Sequence, residues 1–199
     1  MFINILFADP VFFFGYIAII ITSITLHELA HGFAAIGQGD NTPQKTGHIT
    51  LNPVVHMGIH SIIFLCVAGI SWGKMPVNPD KFRNGRLSDI IVSAAGPLTN
   101  LALGIIFSLL LVTFYNSGLI SKDFLYLAAR VNFTLFLLNM LPIPPLDGFH
   151  IYSNIVPSLK KLQDSPIGVF GLVIIFLIPG FGETLFFISD SIIKVFLQF

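Results

Sequence analysis

The feature that most constrains this chain is a single apolar run, Val11 to Ile36, interrupted by Thr22, Ser23 and Thr25 and by the group His27-Glu28-Leu29-Ala30-His31. About 20 apolar residues in a helix suffice to cross the hydrocarbon core of a bilayer, so this run predicts a permanent span that carries ionisable groups at membrane depth. A secretory leader would need a basic start, a shorter apolar stretch and a small-residue cleavage site. Composition agrees: 54% of the 199 residues are hydrophobic and 10% charged, and the mean hydropathy is +0.86, against about 25% charge in a soluble domain. The lipid bilayer is therefore the expected surrounding. Ten basic and ten acidic residues cancel, which leaves no basic stripe for nucleic acid. Cys66 is the one cysteine, which excludes an internal disulfide and a thiolate zinc cage.

Further along, residues 37–53 are rich in Gly, Asn and Pro and predict a loop with a short extended piece at His48 to Leu51. The apolar part of 54–71, Ile62 to Ile70, is short, as in re-entrant or interfacial segments. Residues 72–87 form a loop with Lys74, Lys81, Arg83 and Arg86 against Asp80. Clear spans follow at Ile90 to Tyr115 and at Phe124 to Leu141, the latter running through a proline-broken stretch to about residue 158. Ile167 to Ile178 and Leu185 to Leu197 suggest a C-terminal hairpin over 167–197. The reading is an all-α polytopic membrane protein, one domain over 1–199, with core helices at about 11–36, 90–115 and 124–158 and a membrane-associated segment at 54–71. The basic loop and Lys160-Lys161 mark a cytoplasmic side in the cell membrane. Arg130 is expected to snorkel to the headgroups and Asp190 to pair with Lys194 along a helix.

The chemistry starts in the first span. A helix turns roughly 100° per residue, so His27 and His31 stand on one face, one turn apart, and can reach one metal ion. Glu28 lies beside them, where a carboxylate can take a proton from a water that zinc has acidified to a pKa of about 7. Two histidines and a glutamate in a lipid span are expensive unless they serve one another. A hydrolytic zinc site needs a third ligand. Asp147 stands out because it lies in Asn139-Met140-Leu141-Pro142-Ile143-Pro144-Pro145-Leu146-Asp147-Gly148, irregular backbone that lipid tolerates only around an interior cavity. The competing readings are helix capping for Asp147, and Glu183 as third ligand. His48, His56 and His60 read as loop or interface histidines.

His27 to Gly32 (HELAHG) followed by Asn139 to Gly148 (NMLPIPPLDG) resembles the paired signature of the site-2 protease family of intramembrane zinc metalloproteases. Gly96-Pro97-Leu98-Thr99-Asn100, Leu51 to His56 and Trp72 to Pro79 are similar to other elements of its compact members, those without PDZ or cystathionine-synthase-like modules. Those members often carry an aspartate and a proline just after the histidine matching His56, and here Met57-Gly58 stands instead. The resemblance implies one Zn²⁺ held by His27, His31 and Asp147 and Glu28 as general base. It implies transmembrane protein substrates cut within the membrane, a three-helix core with the site toward the cytoplasm, and a segment 54–71 that does not cross. Asn100 and Asn139 would hold the substrate backbone or its oxyanion, with hydrogen bonding between helices as the alternative. Two rival functions are a non-proteolytic membrane binding protein that keeps the metal, which has no need of an intact Glu28, and a metal transporter, which would spread its ligands along the membrane normal.

Overall fold

A computed structural model describes residues 1–162 and 166–198, with side chains at all of these except 166–169. The side chains of Ile167 and Val169, at the start of the expected hairpin, thus lie outside the described residues. The architecture is all-α, with no strand among the described residues. Helix α1 spans Pro10–Gly37. It begins cleanly because Asp9 accepts a hydrogen bond from the Phe12 N–H at 3.0 Å and Pro10 has no N–H to leave unpaired. Its length, about 42 Å at 1.5 Å per residue, exceeds the roughly 30 Å hydrocarbon thickness.

Helix α2, Pro53–Ala68, is capped by Asn52, which accepts from Val54 N–H, and is broken at Gly58, whose φ of 70° lies in the left-handed region. It is among the shorter apolar helices, not the candidate spans. Its partner is the returning chain: Ser61 Oγ donates to Trp72 O at 2.7 Å and accepts from Trp72 N–H at 2.9 Å. The chain thereby folds back along α2. Helix α3, Arg86–Phe114, buries a stripe of four-residue spacing, Val92, Gly96, Asn100, Gly104 and Ser108. Small residues along that stripe let α1 and helix α4, Lys122–Asn139, approach closely; at Gly104, for example, the Phe133 ring lies where a methyl would go.

After Asn139 the chain turns through Pro142, Pro144 and Pro145, with a cis Pro144-Pro145 bond, and starts helix α5, Asp147–Ile155. The return is tight at Gly148: a Cβ there would stand 2.5 Å from the backbone carbonyl of Met140. Helices α6, Pro166–Leu177, and α7, Phe181–Leu197, meet at a bend of 79°. Helix α7 packs on α4 through Ile193 and Phe133, both fully buried, and through Thr134 and Ser189 at 2.9 Å.

Helices α1 and α3 are each long and apolar enough to cross a membrane, and the bent pair makes a third candidate. In α3 the apolar window has mean hydropathy 2.0 although only 28% of it is buried. The outward surface is therefore itself apolar, as lipid requires. Two sequence expectations are corrected. Arg130 does not reach for the headgroups: its Nε lies 2.9 Å from Asp190 Oδ1, with the guanidinium 4.5 Å above the Phe186 ring. Pairing across α4 and α7 neutralises both charges where solvation is poor. Likewise 48–51 is no strand; His48 Nδ1 bonds back to Thr46, and the Thr50 carbonyl accepts from His56 Nε2 at 2.6 Å.

The polar loops are fastened by Asp40, which is fully buried. Its carboxylate accepts from the Thr42 N–H at 2.9 Å, the Thr42 hydroxyl and the Asn78 N–H at 2.6 Å, with Lys81 Nζ at 3.5 Å. Burial alone would raise its pKa. The hydrogen bonds from Thr42 and Asn78 and the charge of Lys81 outweigh that and hold it below the usual carboxylate value. A depressed pKa stabilises the fold above the unfolded value, about 4, and that stability is lost as pH falls through the folded pKa. Thermal unfolding of Asp40→Ala in detergent should show a loss of about 3 kcal/mol at pH 7, since hydrogen bonds to charged groups contribute about 1.5–3 kcal/mol each. The difference from the unsubstituted chain should shrink at acid pH; a pH-independent difference would remove Asp40 as a charged fastener.

Candidate metal centre

Helical periodicity places His27 and His31 one turn apart on α1, with both side chains buried against α3. Their Nε2 atoms are 3.0 Å apart. Each Nδ1 meets an acceptor on α3: Asn100 Oδ1 lies 2.6 Å from His27, and the Val92 carbonyl lies 2.7 Å from His31. A neutral ring in either place carries its proton on Nδ1 and turns the Nε2 lone pair toward one point. The tight return at Gly148 brings Asp147 to that point, with Oδ2 3.0 Å from His27 Nε2 and Oδ1 3.4 Å from His31 Nε2. Gly96 makes room, since any Cβ there would overlap both Nε2 atoms.

Two neutral imidazoles and a carboxylate so arranged turn their lone pairs on one point and call for a cation. Metal bonds of 2.0–2.1 Å at tetrahedral angles put ligand atoms about 3.3 Å apart, close to the 3.0 Å and 3.4 Å found here. Two nitrogens and a carboxylate oxygen with a position left open is the donor set of hydrolytic zinc. Zinc fits these residues.

Glu28 is buried but stands outside that cluster. Its carboxylate lies against Gly73, where a side chain would overlap it, and it borders two cavities. One, of about 410 Å³, is bordered by Lys74, Asp89, Ser93 and His150 as well as by apolar residues such as Met75 and Val92. The other, of about 350 Å³, is walled largely by Ile24, Leu135, Leu138, Leu172 and Phe176. Glu28, Gly73, Pro145 and Asp147 border both.

The remaining sequence candidates fall elsewhere. Among the described residues the metal-type cluster comprises His27, His31 and Asp147; His48 and His56 bond to loop carbonyls, and His60 and Glu183 are exposed. Asn139 borders the apolar cavity and donates to the Leu135 carbonyl at 3.0 Å. Asn100 is fully buried and spends its carboxamide on His27 and on Asn132. Sequence reasoning passed over Asn132, although a polar side chain in an apolar helix was the available signal.

Peptidase family M50 matches residues 15–122 and 113–178 of the chain. A Bacillus subtilis protein named as a zinc metalloprotease, YwhC, is 36% identical over 193 residues, covering 89% of this chain and 88% of its own length. Rip2 of Mycolicibacterium smegmatis, also named as a zinc metalloprotease, is 31% identical over 140 residues, 64% of this chain and 51% of its own. Rip2 of Mycobacterium tuberculosis is 29% identical over 178 residues, 80% of this chain and 65% of its own. No solved structure matches. With a zinc-type donor set in an all-helical membrane fold and relatives aligned over most of its length, the chain belongs to peptidase family M50, the site-2 proteases, and is a zinc metalloprotease.

Proposed function

We propose that this protease cuts peptide bonds within transmembrane segments of other membrane proteins, with Glu28 as general base and His27, His31 and Asp147 holding the zinc. The observation that carries the reading is the position of Glu28 on the wall shared by two cavities, one walled largely by aliphatic and aromatic side chains and the other bordered also by Lys74, Asp89, Ser93 and His150, beside the ligand cluster. An unwound apolar segment suits the first cavity. Water reaches the carboxylate through the second. Zinc, when bound, supplies Lewis acidity that polarises the scissile carbonyl and acidifies water. Glu28 takes the proton from the attacking water and passes it to the leaving amine. Asn139, on the apolar side, is placed to orient the substrate backbone.

The protein is read as multi-pass in the cell membrane with the site toward the cytoplasm. His31 lies about 9 Å of helical rise before the end of α1 at Gly37, and the loop after α2, tied to that end by the Arg83 N–H donating to the Gln38 carbonyl at 2.9 Å, carries Lys74, Lys81 and Arg83, with Arg86 opening α3, in line with the positive-inside tendency. The test is the full chain reconstituted in vesicles with a panel of single-span proteins and the products mapped by mass spectrometry. Cuts are expected inside the apolar segments and should vanish when zinc is chelated; cuts confined to soluble loops would overturn the intramembrane reading.

A further inference from the structure

We infer that Asn132 is a positioning residue for the zinc site, fixing through Asn100 which nitrogen of His27 faces the metal. The inference rests on the reading of His27 as a ligand. A carboxamide is nearly symmetric in shape, yet one end accepts and the other donates. On its own, Asn100 fits beside His27 in either of two orientations. With oxygen toward Nδ1 it demands a proton there and leaves Nε2 free for metal. With nitrogen toward Nδ1 it would force the proton onto Nε2 and block the metal.

The structure contains the element that decides. The Ala128 carbonyl of α4 has no proton to give, and it accepts from Asn132 Nδ2 at 2.9 Å. That bond turns Asn132 Oδ1 toward α3, where it accepts from Asn100 Nδ2 at 3.1 Å. Asn100 Oδ1 is then left for His27 Nδ1, at 2.6 Å. One backbone carbonyl thus sets the direction of three successive bonds, and each donor is matched to an acceptor. Asn100 and Asn132 are both fully buried, so water cannot substitute for a missing member at low cost. His31 needs no such device, because its Nδ1 meets the Val92 carbonyl directly. Partners of this kind behind a metal-bound histidine typically change metal affinity about ten- to a hundredfold when removed.

The experiment measures zinc affinity of the purified full chain in detergent by competition with a chromophoric chelator, with the cobalt(II) absorption spectrum as a second readout. Asn132→Ala and Asn132→Ser should each bind zinc about ten- to a hundredfold more weakly and show an altered cobalt spectrum. The serine is the structural control: its hydroxyl can still bond the Ala128 carbonyl, as Ser108 bonds Gly104 O and Ser189 bonds Leu185 O, but it is too short to reach Asn100. It carries the test should the alanine variant fail to fold. In an Asn100→Asp background both side-chain oxygens accept, orientation ceases to matter, and Asn132→Ala should cost no further affinity. Unchanged zinc affinity in Asn132→Ser, or equal losses from Asn132→Ala in both backgrounds, would overturn the inference. An unsubstituted chain that binds no zinc would overturn the metal assignment along with it.

Discussion

In Glu28→Gln, zinc stays at about one per chain while turnover on a cleavable transmembrane substrate falls about a thousandfold, the middle of the range for removing a general base. Glutamine keeps the shape of the side chain against Gly73, so packing is preserved and only the capacity to accept a proton goes. The zinc remains because the cluster is formed by His27, His31 and Asp147 without Glu28. Elemental analysis and turnover, measured on one preparation, check the two halves separately. Zinc lost with activity would make Glu28 a ligand; activity retained would remove it from the proton path.

The second large effect is expected at Gly96. A methyl there would occupy the space of both histidine Nε2 atoms, and these are side-chain nitrogens already held from behind by Asn100 and Val92. Neither ring can retreat without breaking such a bond. Gly96→Ala should therefore lose zinc affinity by at least about a hundredfold, more than most changes behind a ligand, and activity with it. Gly104→Ala on the same stripe is the comparison: its methyl would meet the Phe133 ring at 2.8 Å, an overpacking worth about 1–3 kcal/mol of stability that leaves the metal centre alone. Equal zinc affinity in the two variants would show that the close approach at Gly96 serves helix packing alone.

What the sequence made legible follows from what is local. His27 and His31 could be placed on one face because four residues nearly complete a helical turn, and the spans could be found because lipid demands apolar length. Asp147 could be singled out because proline-broken backbone must line an interior at membrane depth. The way Asp147 returns to the histidines was not legible, since it depends on Gly148 touching the backbone of Met140 across a turn. Arg130 offered two solutions of similar cost, headgroups or an acid on another helix, and only the packing of α7 on α4 selects Asp190. Asn100 and Asn132 show the same limit from the other side. A carboxamide reads alike in sequence whether it will hold substrate, join helices or orient an imidazole, and its neighbours in space decide.

The shared wall of Glu28, Gly73, Pro145 and Asp147 has a consequence for ligands. A molecule confined to one cavity can satisfy only half of the surroundings of the centre. Water-soluble chelating groups match the polar half and forgo the hydrocarbon half, whereas a purely greasy compound fills the latter and leaves the donor cluster without a partner. The complementary shape is an amphiphile bent at its head: a compact metal-seeking group lodged beside Asp147, with an unbranched tail lying toward Leu172 and Phe176. Such an inhibitor would gain its selectivity over soluble zinc proteases from the tail, because those enzymes do not place their metal at a border between water and oil.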